Sequence, residues 1–216
     1  MSEECKTAIL NPLTEKILNL GQLINDGGLR NTIVNIVNEP RFFTHPASTH
    51  IHHAYFGGLA THTTEVAEFA IEFQKSLPGA NLDVIITAAL WHDFAKIWDY
   101  KLVTYFEEQF EEIPKRHVVF QSVEPPYFPV RKTVFVSDFD YKDKVHHISG
   151  SMAEFTSAAL LEGVDRKLIQ RVQHAILAHH GRKDWGTVKD PQTVEAWILH
   201  SADYASAHFG PKKNAL

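Results

Sequence analysis

Apolar residues recur at helical spacing in segment after segment of this chain, and that period limits it to a fold built mainly of helices. Leu13, Ile17, Leu20 and Ile24 line one face over 13–26, which Gly27-Gly28 is expected to end. A second helix is expected over 29–38. The stretch 39–53, with two prolines and clustered polar residues, reads as loop. His62, Val66, Phe69 and Phe73 share a face within 55–76, stopped by Pro78-Gly79. Asn81 caps the next helix, whose stripe of Leu82, Ile85 and Ala89 leads to His92 and Asp93 before an end near Ala95. Another helix is expected at 149–163. Asp165 caps one that carries Leu168, Val172 and Ile176 and ends in His179-His180-Gly181. The last is expected from Asp190-Pro191, with Ala196, Leu199 and Asp203 on one face. About seven helices without a βαβ rhythm make the fold class all-α in the main.

Residues 100–146 break this period. Acidic residues and Phe/Tyr come first, then two β-rich runs, 117–121 and 132–136, separated by Pro125, Pro126 and Pro129. A small β-hairpin insertion around 117–136 fits, and its prolines argue against a central strand. Tyr105, Tyr127 and Phe128 would form a lid or a subunit contact there, with a plain surface hairpin as the alternative. The expected organisation is an N-terminal helical segment, 1–50, packed on a core domain, 51–210, that carries the insertion 100–146.

Charge narrows the partners. A net charge of -5 provides no basic field to hold a long nucleic acid. A small anion is still attracted where bound metal reverses the local charge. Cys5 is the one cysteine and reads as a free thiol. No apolar run is long enough to span a bilayer, and no basic-then-apolar leader opens the chain, so no membrane partner and a cytoplasmic location are expected.

The 14 histidines matter by position. His62, His92, Asp93, His147, His179, His180 and Asp203 lie on, at the end of, or at the entry to the apolar stripes. An aspartate on an apolar face is costly unless it is paired or binds a metal. Imidazole and carboxylate are ligands that Zn, Mn and Fe(II) accept. At His92-Asp93 the imidazole can serve one ion while the carboxylate bridges to a second, and two ions about 3.5–4 Å apart clamp a phosphoryl group. A single histidine on an apolar face is more often a satisfied core residue. His45, His50, His117, His146, His174, His200 and His208 are read as core or surface in that way.

Around these residues the chain resembles the HD superfamily of metal-dependent phosphohydrolases, and within it the HD domain of YhaM-type 3′-5′ exoribonucleases. The matching stretches are HHAYFGGLATHT (52–63), ALWHDFAKIWDY (89–100), HHISGSMAEF (146–155), ILAHHGRKDWG (176–186) and PQTVEAWILHSADYASA (191–207). The resemblance implies that His62, His92, Asp93 and Asp203 hold a first metal and that Asp93, His147 and His179 hold a second. His147 is chosen over His146 because the pattern places histidine directly before isoleucine. His180 ligates or contacts phosphate. Lys96 matches the lysine of HDxGK and would bind a phosphate oxygen; the glycine of that motif is Ala95 here.

The implied catalytic residues are thus Asp93, Lys96 and His180. Lys96, Arg182 and His53 would contact substrate, with Lys183 and Tyr55 near them. Trp185 stacks on a base or packs its turn. The implied cofactor is one or two divalent ions among Mn, Fe, Zn, Mg and Ni. The implied reaction is attack of metal-activated water on a nucleotide, a cyclic nucleotide or a short oligonucleotide. Partners would be a small phosphorylated substrate, short RNA or DNA, and a second copy in a homo-oligomer. The insertion is longer than in that group, and the first 50 residues read as helical rather than as an OB-fold, which favours a smaller substrate. The rival readings are an HD-fold di-iron oxygenase and a non-catalytic metal- or nucleotide-binding scaffold.

Overall fold

The structure, a computed structural model, describes the backbone of residues 3–49, 51–106, 118–123 and 131–209. Side chains are described over the same residues except 3–11, 105–106, 118–123 and 131–132. Helix α1 (Glu3–Gln22) starts well before its apolar stripe and includes Cys5. It stops at Gln22, short of the glycine pair expected to end it. The Asn25 and Asp26 amides leave the helix to donate to the Asp83 carboxylate, at 3.0 and 2.9 Å. Asp26 then caps α2 (Gly27–Val37) by accepting from the Leu29 amide, so the glycines open a helix rather than close one. Gly28 is needed there for close approach: a Cβ would stand 2.8 Å from Val164 Cγ2.

The segment 39–53 contains a 3-10 turn, Pro40–Phe43, which drives Phe42 and Phe43 into the core. Helix α3 (Gly58–Ser76) follows, and Asn81 Oδ1 caps α4 (Leu82–Trp91) through the Val84 amide. Helix α4 ends at Trp91, not near Ala95. His92 forms its C-cap, Asp93 turns out of helical geometry at φ -111° and ψ 8°, and the chain tightens into a 3-10 turn at Phe94–Trp98.

Strands β1 (Tyr100–Phe106), β2 (Val118–Val123) and β3 (Arg131–Ser137) form one antiparallel sheet in the order β1-β3-β2. The β2–β3 pair is the expected hairpin, irregular between Val118 and Gln121. Strand β1 was not expected. It pairs along its whole length with β3, from Tyr100 opposite Ser137 to Phe106 opposite Arg131. That makes β3 a central strand. Residues 124–130, with Pro125, Pro126, Tyr127, Phe128 and Pro129, lie outside the described residues, as do His50, His117 and the Tyr105 side chain.

A short α5 (Phe139–Lys142) leads to α6 (His147–Leu161), which opens on a candidate ligand. Asp165 caps α7 (Arg166–Ala178). Helix α8 (Val194–Phe209) begins three residues after Pro191, because Thr193 Oγ1 accepts from the Ala196 amide and takes the capping role assigned to Asp190.

One apolar core runs through the helices. Ile17, Leu29, Ile33 and Ile36 of α1 and α2 belong to it together with Leu59, Val66, Ile85, Ile86, Phe155, Val172 and Leu199. Trp91 at its centre donates its indole N–H to Thr32 Oγ1 at 3.2 Å, tying α4 to α2. Among the described residues, no helix is long and apolar enough to cross a membrane.

Candidate metal centre

Five helices deliver the candidate ligands, three of them at or next to a helix end. His62 lies in the second turn of α3, His92 and Asp93 follow α4, His147 opens α6, His179 and His180 follow α7, and Asp203 lies within α8. A ligand leaving a helix end clears the packed side chains of the turn before it, so it can point into a shared space. His62, His92, Asp93, His147 and His179 are all buried.

Asp93 is the hub. Its Oδ2 lies 3.5 Å from His62 Nε2 and 3.4 Å from His92 Nε2. Those two nitrogens are 3.4 Å apart, and Asp203 Oδ1 lies 3.1 Å from the first and 3.8 Å from the second. On the other side, Asp93 Oδ1 lies 3.4 Å from His147 Nε2 and 3.7 Å from His179 Nε2. His180 joins His147 and His179 in a second group whose ligand atoms lie within 4.8 Å of one another.

The ring protons are assigned by the partners of Nδ1. His92 Nδ1 donates to the Ala89 carbonyl at 2.8 Å, and His179 Nδ1 to the Ile176 carbonyl at 2.7 Å. His180 Nδ1 donates to the Trp185 carbonyl at 2.8 Å. His62 Nδ1 donates to Ser206 Oγ at 2.9 Å, which in turn donates to Glu65. With the Nδ1 proton so placed, each ring in its neutral form presents the Nε2 lone pair, the form that ligates a cation.

These groups fit divalent metal. Asp93 Oδ1, His147 Nε2 and His179 Nε2 are buried and have no hydrogen-bond partner, an expensive condition for three polar atoms facing one point. Two ligands each about 2.0–2.1 Å from one tetrahedral ion stand about 3.4 Å apart. The separations of 3.1–3.8 Å on either side of Asp93 bracket that value.

Electrostatics points the same way for three of the rings. Burial holds His62, His147 and His179 below the ordinary histidine range, which keeps them neutral and ready to ligate. Burial acts alike on His92, but the carboxylates of Asp93 and Asp203 outweigh it and push that ring up. Burial also opposes ionisation of Asp93. The Lys96 ammonium, 2.6 Å from Oδ2, and His92 overcome it and hold the carboxyl well below its usual range. Asp203 is likewise held low, against burial, by His62.

Several participants carry no motif of their own. Glu65 accepts from Ser206 at 2.9 Å and from His53 Nε2 at 2.9 Å, and so orients His62 from behind. Spacing offered a signal, since Glu65 and Ser206 each stand three residues after a candidate ligand, one helical turn away. Asp99, pushed up to about 6 by burial, lies 3.6 Å from His147 Nδ1. His53 is turned inward to Glu65. His52 instead lines a cavity of about 450 Å³ beside the centre, together with His180, Asp203, Trp185 and Tyr204. Arg182 is exposed, paired with Asp184 at 2.9 and 3.0 Å, and lies over the Trp185 ring.

The HD domain family model matches residues 59–124. A 3′-5′ exoribonuclease YhaM of Geobacillus sp. (strain WCH70) is 28% identical over 179 residues, 82% of this chain and 46% of the relative. The protein of the same name from Bacillus pumilus (strain SAFR-032) is 28% identical over 175 residues, 81% of this chain and 46% of the relative. That of Bacillus subtilis (strain 168) is 27% identical over 179 residues, 83% and 48%. The chain thus spans about half the length of the curated relatives it matches. No solved structure matches. The HD family match spans His62, His92 and Asp93, where both imidazoles gather on one carboxylate, and over 82% of its length this chain is similar to a YhaM-type protein.

Proposed function

We propose that this chain is a metal-dependent phosphohydrolase that cleaves a phosphoester bond of a nucleotide, a cyclic nucleotide or a short oligonucleotide. The observation that carries this reading is the division of labour at Asp93, whose two oxygens each face their own set of imidazole nitrogens. In it, His62, His92, Asp93 and Asp203 hold one divalent ion, and Asp93, His147, His179 and His180 hold a second. Mn, Fe, Zn, Mg and Ni all accept these donor types. Such ions supply positive charge for phosphoryl oxygens and lower the pKa of water.

The chain's own groups do the rest. Lys96, almost wholly buried, places its ammonium at the edge of the centre, where it binds a non-bridging phosphate oxygen. Glu65, through Ser206, keeps the proton of His62 on Nδ1. The cavity lined by His52, His180 and Asp203 admits the substrate. Residues 51–210 form the HD domain in this reading, with 1–50 packed on it and 100–146 as its insertion. The relatives' name favours nucleic acid as the substrate class, and the net charge of -5 favours a short one. A cytoplasmic location belongs to the same reading, supported by that substrate chemistry and by the single cysteine.

The test is a screen of short RNA, cyclic nucleotides and nucleoside triphosphates with each of the five metals, run with and without oxygen. Hydrolysis that needs metal and proceeds anaerobically is expected, which separates this reading from an oxygenase. Cleavage that survives a chelator, or none with any metal, would refute it.

A further inference from the structure

Beside the centre stands a row of exposed aromatic rings that the metal chemistry does not use. Trp185 closes the turn after α7, while Tyr204 and His208 lie one helical turn apart on α8. The Trp185 and Tyr204 planes are within 19° of parallel, with centroids 6.0 Å apart. Tyr204 and His208 are within 18°, at 4.0 Å. Trp185 is 48% exposed and Tyr204 41%. Large rings with parallel faces and so much surface in water are costly to display unless something covers them. All three line the same cavity as His180 and Asp203.

The row is also held in register with the centre. The Trp185 carbonyl receives the Nδ1 proton of His180, and Tyr204 directly follows Asp203. Gly181, at φ +78°, and Gly186, at φ +87°, bend the turn that returns Trp185 to α8. A Cβ on Gly181 would run into the His200 ring beneath it. Whatever lies on the rings is therefore fixed in distance from whatever lies on the metal ligands.

We propose that Trp185, Tyr204 and His208 form a nucleobase subsite, which stacks the base of the nucleotide whose phosphate occupies the centre. This deepens, and rests on, the phosphohydrolase reading above. It restricts the substrate to one whose base is unstacked, namely a mononucleotide or a single-stranded end. Ring faces accept every base, so the subsite favours nucleotides over sugar phosphates without strong sequence preference.

The test is calorimetric binding of adenosine 5′-monophosphate and of ribose 5-phosphate to the intact chain, with Mn(II) and again with EDTA. The nucleotide is expected to bind about 5- to 150-fold more tightly than the sugar phosphate, the range for stacking one base on an aromatic side chain. Trp185→Ala or Tyr204→Ala should bring the two affinities together while ribose 5-phosphate binding and Mn(II) content stay unchanged. Trp185→Phe should keep most of the preference. Equal binding of both ligands by the unaltered chain, or a preference that survives both alanine variants, would overturn the subsite. Short-RNA hydrolysis is measured in parallel. Its absence beside an intact nucleotide preference would remove the catalytic reading alone, and turnover without any such preference would remove the subsite alone.

Discussion

Asp93 and Lys96 concentrate the energetics of this protein in two side chains. A buried carboxylate is tolerated because a buried ammonium lies 2.6 Å away, and each offsets the desolvation of the other. Asp93→Asn should therefore have two separable effects. Metal content, read by elemental analysis, should fall below one ion per chain, and turnover should vanish. In EDTA the same variant should lose about 3 kcal/mol of stability because Lys96 is left charged and unpaired. Adding Lys96→Met should recover most of that loss in denaturant unfolding, without restoring metal. A D93N variant that still held two ions would contradict the proposed role of Asp93 as a ligand to both.

His45 gives a second residue-scale expectation. Burial against Phe135 pushes its pKa down to about 4, so the folded chain keeps it neutral where the unfolded chain protonates it. Between the unfolded value of 6.5 and about 4, the unfolded state binds the extra proton and stability falls as pH falls; above 6.5 the contribution is complete. The shift corresponds to roughly 3 kcal/mol at most. His45→Gln should lose less stability than the unaltered chain between pH 7 and pH 4.5. An equal loss in both would show that His45 titrates freely.

At the scale of elements, caps and turns separate into those that hold a helix and those that also aim a ligand. Asn81 caps α4 at the end away from His92. Asn81→Ala should cost about 1 kcal/mol and leave Mn(II) affinity unchanged. Gly181 follows the His179-His180 pair at positive φ and lies against His200, which itself donates to the His179 carbonyl at 2.8 Å. Gly181→Ala should cost more than about 1 kcal/mol and also weaken Mn(II) binding, because the strain falls on the two ligands before it. Unfolding curves and metal titrations on the two variants compare these outcomes directly. Similar metal affinity in both would show that the turn does not aim the ligands.

For the molecule as a whole, the candidate ligands come from α3, α4, α6, α7 and α8 or their ends, so a bound ion would tie most of the helical core together. Mn(II) at a hundred times its Kd should add about 2.7 kcal/mol for each independent site. For a chain of this length, that raises Tm by roughly 5–10 °C. A thermal melt that ignores Mn(II) would mean that the five helices do not share an ion.

Local spacing in the sequence was enough to place α3 and its His62 face, the caps at Asn81 and Asp165 and the β2–β3 hairpin. Periodicity and capping depend on neighbours within a turn or two, and these are what a sequence displays. Other features depended on distant partners. Strand β1 exists because β3 pairs with it, and α1 ends where Asp83 draws off the Asn25 and Asp26 amides. The break after Trp91 frees the Asp93 carboxylate, while Glu65, Ser206 and the carbonyls behind the rings turn each lone pair inward. Residue types are written in the chain. The 3.1–3.8 Å separations that would suit them to a metal ion come only from packing helices up to 141 residues apart.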